Sequence, residues 1–197
     1  ELAKVANDYA IDSREAIELA NKHPRVEIHQ PGPGVGGHCL PIDPWFLAHD
    51  SDELDLIPTA REVNDGMVDY VVELLAKELG SLADSRIAIL GVAYKGNVDD
   101  IRNSPGLSLA RRLQSTTDTA TASVSTDGGT SVGVTLNDPH VEDQTLNLQP
   151  IEVATGGVDA VVVTTDHGED TQLDPAAVSV QMAGDLVVDT KAVLDED

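Results

Sequence analysis

The chain has 197 residues, of which 35 are acidic and 12 basic, and its formal net charge is −23. This length is enough for one or two folded domains. A surface this acidic repels nucleic acid and anionic membranes, so we expect neither as a partner. We find no signal peptide and no apolar run near the roughly 18 residues of a membrane span, which predicts a soluble cytoplasmic protein.

The acidic residues are spread along the chain rather than gathered in a tail. Such a surface suits a cytosol with molar salt, where the Debye length falls to about 3 Å and self-repulsion is screened. The charge therefore predicts a haloarchaeal or similarly salt-adapted source. The single cysteine excludes an intrachain disulfide framework.

The chain opens with a helical pattern whose apolar residues share one face: Leu2, Val5, Ala6 and Tyr9. No capping residue precedes this pattern, so we expect the chain to be a fragment of a longer protein. Asp12 followed by Glu15 resembles a capping box and predicts a second helix, which ends before Pro24.

A run rich in glycine and proline occupies residues 31–47, with four residues of each type. Proline fixes φ and removes a backbone donor, while glycine adopts conformations that other residues avoid. We therefore expect a shaped loop rather than a regular helix or a central strand. Gly32, Gly34 and Gly37 spell the dinucleotide fingerprint Gly-x-Gly-x-x-Gly. That fingerprint must follow a buried strand and open a helix, and the prolines around it argue against this context.

The lone cysteine, Cys39, lies inside this run, and Asp43 follows four residues later. Two interpretations stay open for the cysteine, a packed core residue and a reactive thiolate. Free cysteine usually packs as a small hydrophobe. Glycines beside the thiol would let a substrate reach the sulfur, which favours the reactive interpretation.

Residues 57–79 carry apolar side chains at steps of three and four, which predicts one long amphipathic helix. Gly80 suits its C-terminal cap, and residues 80–85 are the expected linker. Arg61 and Asn64 form a polar pair on this helix. For these two residues we expect a packing or hinge role rather than chemistry.

The second half of the chain predicts an open, mostly parallel α/β sheet, because strand and helix patterns alternate. The expected strands are four apolar runs, at 87–92, 132–136, 159–165 and 186–189. Ser104 followed by Pro105 predicts the start of a helix, and a short helix is expected near 174–182. Residues 115–130 are rich in Thr, Ser, Ala and Gly and predict a flexible insertion or a ragged edge hairpin.

Two basic residues, Lys95 and Arg102, fall between the first strand and its helix. Ligands of such sheets lie beyond the carboxyl ends of the strands. A lysine and an arginine beside a helix N-terminus would suit a diphosphate. The alternative is that both residues form ion pairs with Asp99 and Asp100.

Two motifs resemble those of a known family. Residues 36–46 read Gly-Gly-His-Cys-Leu-Pro-Ile-Asp-Pro-Trp-Phe, and residues 86–105 read Arg-Ile-Ala-Ile-Leu-Gly-Val-Ala-Tyr-Lys-Gly-Asn-Val-Asp-Asp-Ile-Arg-Asn-Ser-Pro. They are similar to the active-site loop and the C-terminal nucleotide-sugar domain of the UDP-glucose/GDP-mannose dehydrogenase family, in the family's order. The Pro-Gly-Pro-Gly lead and the His-Cys pair resemble the UDP-N-acetylmannosamine dehydrogenase branch. The resemblance spans nearly the whole chain and is weakest at 115–135.

The resemblance implies an α/β fold in two parts. Residues 1–80 would form a helical central (dimerisation) domain that carries the cysteine loop. Residues 86–197 would form a Rossmann-like C-terminal domain, whose open parallel sheet binds the UDP-sugar. The long helix at 57–79 would connect the two domains, and the central helices would form a homodimer.

The resemblance also implies an NAD-dependent oxidation of the sugar's C6 alcohol to a carboxylate. Cys39 would be the covalent nucleophile, and Asp43 would orient water and handle protons. The implied substrate-binding residues are Arg25, Gly36, Gly37, His38, Lys95 and Arg102. Arg25 would reach into the partner subunit's site, although it is otherwise a plain surface arginine. For His38 we favour a structural or orienting role.

No metal site is expected, because His23, His29 and His49 lack the spacing of metal ligands. Lys4 with Asn7 imitates the family's catalytic lysine and asparagine, which lie four residues apart. The spacing here is wrong. We therefore treat Lys4 as a surface residue.

The resemblance finally implies that the family's N-terminal NAD-binding domain and catalytic lysine are missing, so that NAD would be bound mainly by that missing domain. Two alternatives stay open. The full protein would be a UDP-glucose 6-dehydrogenase, or the isolated chain would be a nucleotide-sugar-binding and dimerising module without turnover. Lys191 replaces an arginine that is usual in the related motif, and whether it reaches a ligand is open.

Overall fold

The structure, a computed structural model, describes residues 1–51, 53–119, 131–169 and 173–194. These ranges hold eight helices and four strands. The chain forms two compact units, Glu1–Gly32 and Pro33–Asp197. No helix within the described ranges has the length and apolar character that crossing a membrane requires.

The first unit contains two short helices, α1 (Leu2–Asp8) and α2 (Ser13–Asn21). The carboxylate of Asp12 accepts hydrogen bonds from the amides of Arg14 and Glu15, at 2.7 and 3.2 Å. The predicted cap and the end of α2 before Pro24 are therefore confirmed. Ala6 and Ile17 are the buried apolar residues of these two helices.

The second unit begins with an irregular segment that leads into helix α3 (Cys39–His49). The prediction that the whole run 31–47 is a loop is therefore wrong, since only its first part is irregular. Pro41 lies in the first turn of α3, where no intrahelical amide bond is needed, and Pro44 removes one such bond. Proline thus counts against a helix less strongly in its first turn than in its interior.

Two consecutive helices follow, α4 (Leu56–Asp65) and α5 (Met67–Leu79). The predicted single helix over 57–79 is wrong in one respect, because Gly66 separates the two. The ψ of Gly66 is −4°, well away from the helical value near −42°. Glycine is a poor helix former, which explains the break at this position.

The remaining elements form a parallel α/β sheet, as predicted. Its strands are β1 (Arg86–Leu90), β2 (Gly133–Asn137), β3 (Ala160–Val163) and β4 (Leu186–Asp189). They lie in the order β2-β1-β3-β4, and every neighbouring pair is parallel. Ile87 pairs with Val134 of β2 on one side and with Ala160 of β3 on the other.

Three helices connect these strands: α6 (Pro105–Thr119), α7 (Ile151–Ala154) and α8 (Pro175–Gln181). The Ser104 hydroxyl accepts from the amide of Leu107 at 3.2 Å, which confirms the predicted cap of α6. The predicted helix near 174–182 is α8, whereas α7 was not predicted. Of the expected insertion at 115–130, residues 115–119 belong to α6 and residues 120–130 lie outside the described residues.

Both faces of the sheet are covered by apolar side chains, as parallel sheets require. Helices α5 and α6 pack on one face, in a cluster that includes Val71, Leu75, Ile87, Ile89, Leu109, Leu113 and Val162. The other face is built around Ala88, Leu90, Val161 and Val163. Helix α5 therefore shares a core with the sheet. The division into domains at 1–80 and 86–197 stays a prediction.

Candidate active site

The segment that precedes Cys39 is held against the loop between β1 and α6. The Gly37 amide donates to the Arg102 carbonyl oxygen at 2.8 Å. In return, the Asn103 side-chain amide donates to the Gly37 carbonyl oxygen, also at 2.8 Å. From α4, the side-chain oxygen of Asn64 accepts from the Val35 amide at 2.9 Å. The backbone of the segment is thus anchored by one backbone bond and by two bonds to asparagine side chains.

Two glycines allow this close approach. A Cβ at Gly36 would lie 2.5 Å from the Asn103 carbonyl oxygen and 2.9 Å from Cβ of Tyr94. Gly37 has a φ of +90°, which other residues rarely adopt. The structure therefore gives both glycines a backbone role. Their predicted contact with substrate stays a prediction.

Cys39 is the first residue of α3, and its thiol is free and exposed. Asp43, also exposed, lies four residues further along the same helix. Residues four apart in an α-helix share one face. The two predicted catalytic residues are therefore brought to the same side of a helix that the sequence analysis missed.

Arg102 is paired with Asp100 in a two-pronged arrangement. Its Nη2 lies 2.5 Å from one carboxylate oxygen and its Nε lies 3.0 Å from the other. Hydrogen bonds from Arg102 lower the pKa of Asp100, and the same pair raises the pKa of Arg102. Tyr94 and Cys39 raise the pKa of Arg102 by smaller amounts through their charges. The charge of His38 likewise lowers the pKa of Asp100 slightly. The ion pair that the alternative predicted is therefore present for Arg102. Its predicted contact with substrate stays a prediction.

Lys95 differs from Arg102 because no carboxylate of the described residues, Asp99 included, lies within ion-pairing distance of it. Its side chain is exposed, and its Nζ lies 5.5 Å from the ring centroid of Tyr94. Lys191, at the end of β4, is paired with Asp166 at 3.2 Å. Lys95 is therefore available for an anionic ligand at this edge of the sheet.

Arg25 belongs to the first unit, where it is exposed and its amide donates to Nδ1 of His23 at 3.3 Å. Its predicted reach into a partner subunit stays a prediction. Among the described residues, no group of three His, Cys, Asp or Glu side chains is placed to hold a metal ion.

Asp138 and His167 form a buried pair that was not predicted from the sequence. Asp138 follows β2 directly and His167 lies four residues beyond β3, yet their side chains meet at 3.1 Å and neither is exposed. Burial alone would raise the pKa of Asp138. Hydrogen bonds from His167 and from the amides of Ala93, His140 and Val92 outweigh this effect and hold it at about 2. The available signal was the position of both residues just after buried parallel strands, whose carboxyl ends meet at one edge.

Comparison with known families settles the relationship. The family model for the UDP binding domain of the UDP-glucose/GDP-mannose dehydrogenase family matches residues 88–196, and the model for the central domain matches residues 1–66. The chain belongs to this family. The resemblance of the two motifs is thereby confirmed.

Several relatives in the UDP-glucose/GDP-mannose dehydrogenase family cover all or nearly all of the chain. A UDP-N-acetyl-D-mannosamine dehydrogenase from Methanocaldococcus jannaschii is 39% identical over 100% of this chain and 43% of its own length. The structure of the corresponding Pyrococcus horikoshii enzyme superposes with a TM-score of 0.84 at 34% identity, covering 100% of this chain and 44% of that one. A UDP-glucose dehydrogenase from Pyrobaculum islandicum gives a TM-score of 0.72 at 26% identity, covering 93% and 41%. The chain thus spans less than half the length of these relatives.

The family is NAD-dependent, but the glycine fingerprint of this chain lacks the setting of a dinucleotide site. The fingerprint at Gly32, Gly34 and Gly37 runs into α3, and no strand precedes β1 in the described part of the chain. A dinucleotide fingerprint needs a strand before it and a helix after it. The rejection of this fingerprint is confirmed.

Proposed function

We propose that this chain is the cysteine-bearing and nucleotide-sugar-binding part of an NAD-dependent UDP-sugar 6-dehydrogenase, with UDP-N-acetylmannosamine as substrate. One observation carries the proposal. The segment that ends at exposed Cys39 is hydrogen-bonded to the β1–α6 loop, which presents Lys95. A nucleophile and a cation are thereby held in one compact unit. The names of the relatives above support the choice of sugar.

Lys95 is the residue that we assign to the diphosphate. It follows β1 at the carboxyl edge of a parallel sheet, where ligands of such folds bind. Arg102 would be a weaker contributor because Asp100 already occupies part of its guanidinium. Its side chain is still 61% exposed, so a second contact with a phosphate is open to it. Gly36, Gly37 and His38 would line the sugar side of the site.

Cys39 would act as the nucleophile on the aldehyde that follows the first oxidation of C6. Its thiolate sulfur would bond to the carbonyl carbon, and the carbonyl oxygen would take up a proton to give a thiohemiacetal. NAD supplies the hydride acceptor when it is bound. For the thiohemiacetal to become a thioester, its carbon would lose a hydride and its hydroxyl a proton. Water would then cleave the thioester, with Asp43 taking the water's proton and the Cys39 thiol leaving as the acid forms.

The alternative without turnover also has support, since the glycine fingerprint at Gly32, Gly34 and Gly37 has no strand before it among the described residues. In that case the chain would bind the UDP-sugar and would not oxidise it. UDP-glucose is the alternative sugar, supported by the likeness to the Pyrobaculum enzyme. The homodimer, the cytoplasmic location and the salt-adapted source remain predictions from the sequence.

Calorimetric titration of the chain with UDP and then with UDP-N-acetylmannosamine, in about 2–3 M KCl to screen its charge, tests the proposal. We expect Lys95→Ala to weaken UDP binding by about 10- to 100-fold, the worth of one charged contact. Cys39→Ser should bind UDP as the wild type does, because the thiol acts on the sugar.

Lys77→Ala is the matched control, since Lys77 is an exposed lysine on α5 whose nearest carboxylate partner is Glu78 at 3.9 Å. It should leave the affinity unchanged. A folded wild type that binds neither ligand, or equal losses in the two lysine variants, would overturn the assignment of the nucleotide site.

A further inference from the structure

We propose that His167 is a positioning residue that fixes the loop carrying Lys95, and thereby sets the affinity of this site for the diphosphate. This inference rests on the proposed function, because it assumes that Lys95 contacts the ligand. The imidazole of His167 is fully buried and lies at the carboxyl edge of the sheet.

Two hydrogen bonds connect the β1–α6 loop, which carries Lys95 and is called the Lys95 loop below, to the loop after β3. The Asn97 amide donates to Nδ1 of His167 at 3.1 Å. The Asn97 side-chain oxygen accepts from the Gly168 amide at 2.9 Å. Asn97 has a φ of +59°, a conformation that few residues other than glycine and asparagine adopt readily. The loop is thus fixed by hydrogen bonds at Asn97, which is two residues from Lys95 along the chain.

The imidazole itself is oriented by Asp138. Because Nδ1 accepts from the Asn97 amide, Nε2 must carry the proton, and it donates to the Asp138 carboxylate at 3.1 Å. That oxygen also accepts from the amides of Val92 and Ala93, at 2.7 and 2.9 Å. A continuous series of bonds therefore runs from the end of β1, through Asp138 and His167, to Asn97.

Neighbouring groups close the site around this imidazole. The ring of His140 stacks on it with centroids 4.8 Å apart, and Nε2 of His140 lies 3.1 Å from Glu169. A Cβ at Gly96 would lie 2.1 Å from the Asp166 carbonyl oxygen, so the backbone of the β1–α6 loop directly contacts the residue before His167. These contacts leave His167 little freedom to turn.

A role in core stability alone is the competing explanation, and two substitutions separate it from positioning. Phenylalanine at 167 fills the space of the ring but offers no acceptor to Asn97. Glutamine offers an amide oxygen for Asn97 and an NH₂ group for Asp138, at a spacing close to that of the two ring nitrogens. His167→Gln should therefore rescue what His167→Phe loses.

The experiment measures two quantities for each folded variant, in about 2–3 M KCl. The first is hydrogen exchange of the Asn97 amide by NMR, without ligand. The second is the UDP dissociation constant. For His167→Phe we expect exchange and dissociation constant each to rise by roughly tenfold, the loss of one good hydrogen bond. For His167→Gln we expect changes of no more than about threefold.

Two further variants keep the test decisive. Val162→Ala removes volume from the core cluster that includes α5 and α6, and should leave both quantities unchanged. If His167→Phe does not fold, Asn97→Gly removes the bond to Gly168 from an exposed position, and it should raise the UDP dissociation constant in the same way.

The outcomes distinguish the positioning role from the site itself. Suppose that Lys95→Ala weakens UDP binding. An unchanged UDP affinity in His167→Phe would then overturn the positioning role. If His167→Phe does not fold, an unchanged affinity in Asn97→Gly would do so instead. An unchanged affinity in Lys95→Ala would overturn the nucleotide site instead. Equal losses in His167→Phe and His167→Gln would show that the hydrogen bonds of the imidazole do not set the affinity, and would overturn the positioning role.

Discussion

The substitution Gly36→Ala should detach the segment before Cys39 from its support. The added Cβ would lie 2.5 Å from the Asn103 carbonyl oxygen, about 1 Å short of an ordinary contact of about 3.5 Å. Tyr94 and Pro105 leave no room on the other sides, at 2.9 and 3.1 Å. Either the segment or the β1–α6 loop must therefore move.

Such a movement breaks the two bonds that join these segments, Gly37 amide to Arg102 and Asn103 to the Gly37 carbonyl. At about 0.5–1.5 kcal/mol each, their loss lowers the free energy of unfolding by about 1–3 kcal/mol. With a urea m-value of about 2 kcal/mol/M, the unfolding midpoint falls by about 0.5–1.5 M.

Trp45 makes the measurement direct, because it is the only tryptophan of the chain and lies on α3, just beyond the segment. Urea unfolding followed by its fluorescence gives the midpoint. Val35→Ala is the control, since its side chain is half exposed and its amide still donates to Asn64. A Gly36→Ala curve that overlays the curves of the wild type and of Val35→Ala would refute the reasoning.

Two other predictions concern stability. Asp138→Asn should lower the free energy of unfolding by about 3 kcal/mol near neutral pH, because buried amide donors lose their acceptor. Since the folded state holds the pKa of Asp138 at about 2, the carboxylate's contribution is present above about pH 4 and is lost as the pH falls toward 2. The gap between wild type and variant in urea unfolding should therefore narrow by about 2 kcal/mol between pH 6 and pH 2, and a constant gap would contradict this. Gly66→Ala should raise the free energy of unfolding by about 0.5–1 kcal/mol by favouring helix at the α4–α5 break, and a lower melting temperature would contradict it.

The sheet was predictable from the sequence because its signals are local. Each strand is an apolar run, and Ser104 with Pro105 marks the start of α6 without reference to distant residues. Helix α3 was missed for the opposite reason, since Pro41 and Pro44 suggested a loop. Proline in a first turn removes no bond, so composition alone could not place the start of this helix at Cys39.

The candidate site was only partly predictable. Cys39, Asp43 and Lys95 could be named from motif and position, but their settings could not. The structure contains the ion pair of Arg102 with Asp100, which the sequence left open, while the contact of Arg102 with a ligand stays a prediction. The contact of Asp138 with His167 joins residues 29 positions apart and follows from the order of the strands, which no local pattern reveals.

The order of strands in the sheet also has a consequence for how the chain is made. Of the four described strands, β1 leaves the ribosome first. The backbone amide of Arg86 in β1 donates to the carboxylate of Asp159, which is synthesised 73 residues later. At about 5–20 residues per second, β1 waits about 4–15 s for this partner. During that time an apolar strand would be exposed to other nascent chains. Helix α5, which is synthesised just before β1 and packs on it in the finished core, is already available to cover one of its faces.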